Sequence, residues 1–418
     1  MLEKNSFFDG VKKIFLGSSL ERLILVIFTP ILTRLYSPQD FALFAIFSSA
    51  IAVFARIRCL NYQVLIVTRE DHEINDLIND SFKISIILFI LYLIVFYIFN
   101  FFDLVLFKKI KNYIILICVT IFISNNIAIF HTIFIRFEEY TKLNLIRIVN
   151  VFIFSLAAIY FSYFNFLNYN GLIISYFLGF VASIIFCFFS FKKILKILNY
   201  KIDGIHKKIK KEKDLTLYLS AGHFVSTISN ELPIFVLIMY YGDIILSFFS
   251  LVLRVVSVPV TIFSKSFGTI NFRHITIKIK NNEPIFKYLL KLIFSLISIT
   301  IPPILICYFY AENIFGFIFG EQWSRAGLIL NIMSIAISLK FVGLTVFESI
   351  YPLKIVKRIS FWQYTLTIFI IILAISGKNL TSDEFFYCLA AIEGSMYLIL
   401  SGYILHKSYE HDQKKFKI

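Results

Sequence analysis

Three arginines, Arg22, Arg56 and Arg254, fall inside apolar stretches long enough to cross a bilayer, and each shares a helical stripe with small polar residues. A guanidinium at the bilayer centre costs roughly 3 kcal/mol on insertion scales, so it has to face a bundle interior or a water-filled cavity. Three charges of one sign on such faces point to a path for an anion. The clearest stripe is Ser247, Ser250, Arg254, Ser257, Thr261 and Ser264, stepping three and four residues at a time along one face of an α-helix. Two more run Ser18, Arg22, Thr29, Thr33 and Ser49, Arg56, Cys59, Gln63. Two lack an arginine: Thr216, Ser220, His223, Thr227, Asn230 and Asn331, Ser334, Ser338, Thr345, Glu348. Ser and Thr also line ordinary helix contacts in membrane bundles, and for these last two that plainer reading carries more weight. Glu231, Glu348 and Glu393 are candidate counter-ions or coupling sites, with neutralisation of a nearby Arg or Lys favoured over ion carriage. His131 and His223 read as hydrogen-bonded structural histidines.

The elements that must carry these residues follow from composition. A chain that is 59% hydrophobic and 16% charged, with mean hydropathy +0.81, exposes too much apolar surface for one soluble core. It reads as an all-α polytopic membrane protein of about twelve spans of roughly twenty residues each. The first half gives 14–32, 41–67, 84–101, 113–135, 146–166 and 172–191. The second gives 215–240, 244–267, 288–309, 327–347, 359–375 and 385–405. Lys and Arg number 31 on the termini and alternate breaks and 6 on the others, nine of them between Lys192 and Lys213, which places both termini on the cytoplasmic side. Lys108, Lys109 and Lys111 are the local exception. The net charge of +15 is therefore mostly topological, and a nucleic-acid partner is not expected because the basic segment lacks interleaved aromatics.

Other chemistry is not signalled. The first apolar stretch carries Glu21 and Arg22 and no small-residue cleavage site, so no cleaved signal is expected. Cys59, Cys118, Cys187, Cys307 and Cys388 fall within spans and form no CxxC pair, which supports neither disulfides nor a metal site. No nucleophile elbow, phosphate-cradling glycine loop or HExxH is present, and neither catalysis nor a cofactor is expected.

The chain divides at the lysine-rich segment into an N-terminal lobe (1–191), a basic cytoplasmic linker (192–214), a C-terminal lobe (215–406) and a cytoplasmic tail (407–418). Each lobe opens with a striped helix, a short turn bearing an aspartate (Asp40, Asp243) and a helix with an arginine (Arg56, Arg254). An even number of spans per lobe makes this a parallel repeat, with a site between the halves near the midplane. Pro30, Pro233 and Pro259 inside the striped helices permit bending.

The stretch Thr29-Pro30-Ile31-Leu32-Thr33-Arg34-Leu35-Tyr36-Ser37-Pro38-Gln39-Asp40-Phe41-Ala42-Leu43-Phe44 resembles the first outer turn of polysaccharide-unit (O-antigen type) flippases, in the multidrug/oligosaccharidyl-lipid/polysaccharide exporter superfamily. Phe248 to Pro259 and the turn Phe319-Gly320-Glu321-Gln322-Trp323-Ser324-Arg325-Ala326-Gly327 are similar to two further family segments. Ala42 replaces the usual glycine. The resemblance implies two six-helix lobes around a central cationic cavity. It also implies translocation of an undecaprenyl-pyrophosphate-linked oligosaccharide unit to the outer leaflet of the bacterial cytoplasmic (inner) membrane, for O-antigen, lipopolysaccharide or capsule assembly. Arg22, Arg56 and Arg254 would contact the pyrophosphate or an acidic sugar. Ser250, Ser257, Thr261, Asn230 and Asn331 would meet sugar hydroxyls. Partners would be the lipid-linked substrate, membrane lipids, a polysaccharide polymerase and a chain-length regulator. A cation-coupled multidrug exporter, whose cavity should carry carboxylates, and a membrane polymerase or ligase, which needs a large outer loop, are the alternatives.

Overall fold

A computed structural model of the protein describes residues 2–101, 109–163, 170–191, 212 and 219–416. Among the described residues twelve helices are long and apolar enough to cross a membrane, numbered here α1 (Leu2–Leu35), α2 (Pro38–Ala55), α3 (Ile74–Phe101), α4 (Ile114–Arg136), α5 (Tyr140–Tyr163), α6 (Gly171–Ser190), α7 (Leu219–Tyr240), α8 (Gly242–Lys280), α9 (Phe286–Phe319), α10 (Ser324–Phe347), α11 (Val356–Ser376) and α12 (Ser382–Phe416). No strand occurs among the described residues, and the chain is an all-α, multi-pass membrane protein. It forms two compact units, Met1–Met239 and Tyr240–Ile418, so α7 packs with the first. The linker expected at 192–214 lies, apart from Glu212, outside the described residues, as do Lys108 and Thr216.

In the first unit α5 packs against both α1 and α6, while α4 packs against α2, α3 and α6. The turn between α1 and α2 is built from the sequence itself. Ser37 and Asp40 form a capping box, Ser37 Oγ taking the Asp40 amide at 3.3 Å and Asp40 Oδ2 the Ser37 amide at 3.1 Å. Pro38 opens the helix where its missing N–H costs nothing. The Tyr36 hydroxyl donates to the Ala158 carbonyl at 2.7 Å and ties the turn to α5.

At its other end α2 stops earlier than its hydropathy suggests. The sequence reads a span through Val67, but the helix ends at Ala55 and Arg56 caps it. Arg58, Cys59, Leu60 and Asn61 then follow with φ of 36°, 50°, 55° and 55°. Left-handed backbone costs an L-residue roughly 1–2 kcal/mol, and the surroundings hold it. Cys59 is fully buried, and Asn61 Nδ2 donates to Ser220 Oγ of α7 at 2.9 Å. Ser49, Arg56, Cys59 and Gln63 are therefore not one helical face, which corrects the expectation from spacing. Elsewhere in this unit Arg69 pairs with Glu212, and Arg136 donates to the Val67 carbonyl at 2.9 Å and to Asp71 at 2.5 Å.

In the second unit α10 is the hub, packed against α8, α9 and α12. Leu289, Ile293 and Leu296 of α9, Phe341, Val342 and Val346 of α10, and Leu400 and Ile404 of α12 share one buried cluster. The turn from α9 into α10 explains its own composition. Gly320 sits at φ 108°, open to glycine alone without strain, and Trp323 is fully buried, its ring 6.0 Å from that of Phe248. A Cβ on Gly327 would lie 2.4 Å from the Ala311 carbonyl, so only glycine lets α9 and α10 approach here.

Residues 407–416, read from the sequence as tail, continue α12. Buried Asp412 accepts the amides of Ile285 at 2.9 Å and Phe286 at 2.8 Å, closing the N-terminus of α9. Removing this carboxylate strands two amide donors, the buried one of Ile285 and the partly buried one of Phe286. Asp412→Ala should cost about 2–3 kcal/mol, read as a lower thermal unfolding midpoint in detergent, with Asp412→Asn intermediate.

Candidate functional site

The first unit gathers arginines from three places in the chain, with a histidine from each of two further helices. Arg22 lies half-buried on α1, and Arg147 of α5 and Glu21 are the charges that act on it. Arg58 begins the left-handed turn, where Arg56 and Arg147 act on it. His131 of α4 lies within range of Arg147 and Arg58, and His223 of α7 within range of Arg56 and Arg58. The four arginines thus form a connected chain, Arg22 to Arg147 to Arg58 to Arg56. Among the described residues Arg56, Arg58 and Arg147 have no carboxylate partner. Like charges gathered without counter-ions in a membrane protein repel one another and favour an incoming anion.

Two of these residues were not picked out by sequence. Arg147 counts as a membrane-edge charge if the fifth span starts at Ile146, yet α5 starts at Tyr140 and Arg147 lies two turns inside it. The usable signal was the helical run Leu143, Ile146, Val151, Phe154, all buried, which extends past the apparent edge. Arg58 is placed by the left-handed turn, which no Gly or Pro announces.

Polar groups lie behind this turn. Cys59 Sγ is 3.9 Å from the Asn125 carbonyl oxygen, with Ser85 beside it, and the Tyr92 hydroxyl donates to the Phe54 carbonyl at 3.2 Å. Ser85 Oγ, Gln63 Oε1, both side-chain heteroatoms of Asn125 and His131 Nε2 are buried without a well-formed protein hydrogen bond. Orphan groups at this density are uncommon in a finished core and suit water or ligand hydroxyls.

The other expected residues are distributed as follows. In the first unit Asn230 Nδ2 donates to the Ser226 carbonyl at 2.9 Å. Glu231 has Ser49 as its polar neighbour and no cation partner among the described residues, unlike the neutralising role expected of it. In the second unit Arg254 is half-buried on α8, and Ser250 and Thr261 lie on the same helix with their hydroxyls donating to Ser247 O at 2.8 Å and Ser257 O at 2.5 Å. Ser257 is exposed. Asn331 Nδ2 donates to the Tyr308 carbonyl at 3.3 Å. Glu348 answers to Lys265, and Glu393 holds Lys340 at 3.2 Å. The Ser250 and Thr261 hydroxyls spend their protons on their own helix, so toward a ligand they act as acceptors. No group of three or more potential metal ligands occurs among the described residues.

A family model described as "Polysaccharide biosynthesis protein" matches residues 31–327, which is most of the chain. The chain belongs to that family. Arg56, Arg58, Arg147 and Arg254 lie within the matched residues of this polysaccharide biosynthesis protein, and Arg22 precedes them. No curated protein matches by sequence. The fold is similar to that of the lipid II flippase MurJ in an inward closed conformation, with TM-score 0.76 and 16% identity over 93% of this chain and 86% of that one. It is similar also to an inward-facing multidrug resistance MATE family transporter of the MOP superfamily, with TM-score 0.66 and 12% identity over 95% and 96%. A MOP superfamily transporter from Pyrococcus furiosus, described as having a binding pocket of reversed polarity, matches with TM-score 0.53 and 12% identity over 96% and 94%.

Proposed function

We propose that this polysaccharide biosynthesis protein is a flippase. Its cargo is an oligosaccharide unit on a polyprenyl diphosphate such as undecaprenyl pyrophosphate, moved from the inner to the outer leaflet of a bacterial cytoplasmic membrane for O-antigen or capsule assembly. The observation that carries this reading is the gathering of arginines in the first unit, of which Arg56, Arg58 and Arg147 have no carboxylate partner among the described residues. A diphosphate supplies the missing negative charge, and guanidinium pairs with phosphate oxygens through two parallel N–H bonds. The fold shared with a lipid II flippase supports the same class of cargo. The charge asymmetry of the breaks supports termini on the cytoplasmic side.

A strain lacking the protein should accumulate single lipid-linked units on the inner leaflet, and the intact gene should clear them. Single units reaching the outer surface in that strain would instead indicate a polymerase and overturn the flippase reading.

A further inference from the structure

A second feature lies wholly within the second unit and does not rest on the flippase reading. Along α12 the residues Met396, Ile399, Leu400 and Tyr403, followed by Lys407, Glu410, His411 and Lys414, step three and four apart and so share one face. The first four line an almost wholly apolar cavity of about 450 Å³ against Phe361, Trp362 and Phe369 of α11. The last four line a polar recess of about 470 Å³ with Leu353, Lys354 and Ile355, from the connection between α10 and α11. One turn of helix, from Tyr403 to Lys407, separates the two.

The charges in the recess do not cancel. Glu410 is already engaged by Lys407 at 2.6 Å and His406 at 3.0 Å, and His411 lies 3.2 Å from Asp412. Lys354 and Lys414 are exposed and make no side-chain hydrogen bond or ion pair among the described residues. Lys354 is presented from a left-handed position, φ 57°, in a turn closed by the Ile355 amide on the Ile350 carbonyl at 3.1 Å.

Depth argues for the same occupant. At 1.5 Å per residue the 35-residue α12 is about 52 Å long, well beyond the roughly 30 Å of hydrocarbon it must cross. Its charged end therefore emerges from the membrane. The groove-lining Tyr403 and the lysines one to three turns beyond it then fall where hydrocarbon gives way to headgroups, the level favoured by tyrosine and by snorkelling lysine.

We infer that this face of α12 holds an anionic glycerophospholipid, its acyl chain along the groove at Phe361 and Ile399 and its phosphate between Lys354 and Lys414. An apolar groove continued by a basic recess on one helix face matches the two ends of such a lipid. Basic pockets between helix ends select anionic headgroups in this way.

The test uses the full-length protein in phosphatidylcholine nanodiscs with graded phosphatidylglycerol of the same acyl chains, with retained lipid counted by native mass spectrometry. One phosphatidylglycerol should be retained in preference to phosphatidylcholine. K354A/K414A, which alters two exposed side chains, should weaken that retention on the order of tenfold or more. F361A/I399A should weaken it with the basic recess intact. Equal retention of phosphatidylcholine, or unchanged phosphatidylglycerol binding in the lysine variant, would overturn the inference. Displacement of the retained lipid by millimolar inorganic phosphate or by a polyprenyl phosphate would also overturn it, assigning the recess to free anion or to transport cargo.

Discussion

Arg58→Ala and Arg147→Ala should each abolish export of the polysaccharide while leaving the amount of protein in the membrane unchanged. Each removes one guanidinium from a chain of four whose members Arg56, Arg58 and Arg147 lack carboxylate partners among the described residues. On the proposed function, a diphosphate bound there would keep a desolvated oxygen without a donor. Truncating one side of such a pair costs about 2–5 kcal/mol, which corresponds to roughly thirty-fold to several-thousand-fold in affinity. Lysine at either position should restore part of the function, since it keeps the charge and loses the planar fork. Arg325→Ala provides the comparison. Arg325 is half-exposed and 3.9 Å from Asp383, a surface pair of the kind that contributes about 0–1 kcal/mol, so its loss should leave export near normal. Export at wild-type level from the Arg58→Ala/Arg147→Ala double variant, at matched abundance, would remove the cationic cluster from the mechanism.

The residues that made the family recognisable are not those that gather the charge. In the stretch Thr29 to Phe44 the informative side chains build a turn. Thr33 donates to the Pro30 carbonyl at 3.0 Å, Tyr36 reaches Ala158, and Ser37 and Asp40 cap each other. Gly320, Trp323 and Gly327 do the same at the turn into α10, by a backbone only glycine tolerates, a buried ring and a close helix approach. Such features are local, so their residue types record them directly. That is why the spans and these two turns could be read from the chain.

The cluster around Arg58 is a tertiary product. Periodicity assumes the helix continues, and four non-glycine residues in left-handed conformation break that assumption without a composition signal, Asn61 being the one residue with a tolerance for it. Burial supplies what local propensity does not, through Cys59 within the bundle and Asn61 bonded to α7. Arg147 shows the complementary difficulty. Topology rules treat arginine as a marker of the membrane edge, and one placed two turns inside α5, among side chains gathered from α1, α4 and the turn after α2, carries the same letter.

Glu393→Gln should destabilise the protein strongly, and Lys340→Met combined with it should recover much of the loss. Glu393 of α12 holds Lys340 of α10 through both oxygens, at 3.2 and 3.3 Å, and the ammonium lies 5.7 Å above the Tyr397 ring. The carboxylate side chain is 14% exposed and the lysine 25%, so this pair is largely removed from water. Leaving the ammonium without its carboxylate costs about 3 kcal/mol, near the low end for buried pairs because lysine can bend toward solvent. Replacing both partners with uncharged side chains removes the stranded charge, so the double change should be milder than Glu393→Gln alone, a coupling of roughly 2 kcal/mol. Thermal unfolding in detergent measures the stability arm, and polysaccharide export measures the other. A structural pair predicts that export recovers together with stability in the double variant. In a cation-coupled exporter, where Glu393 would carry the coupling ion, the double variant would regain stability and stay inactive, and that result would replace the flippase reading with an exporter.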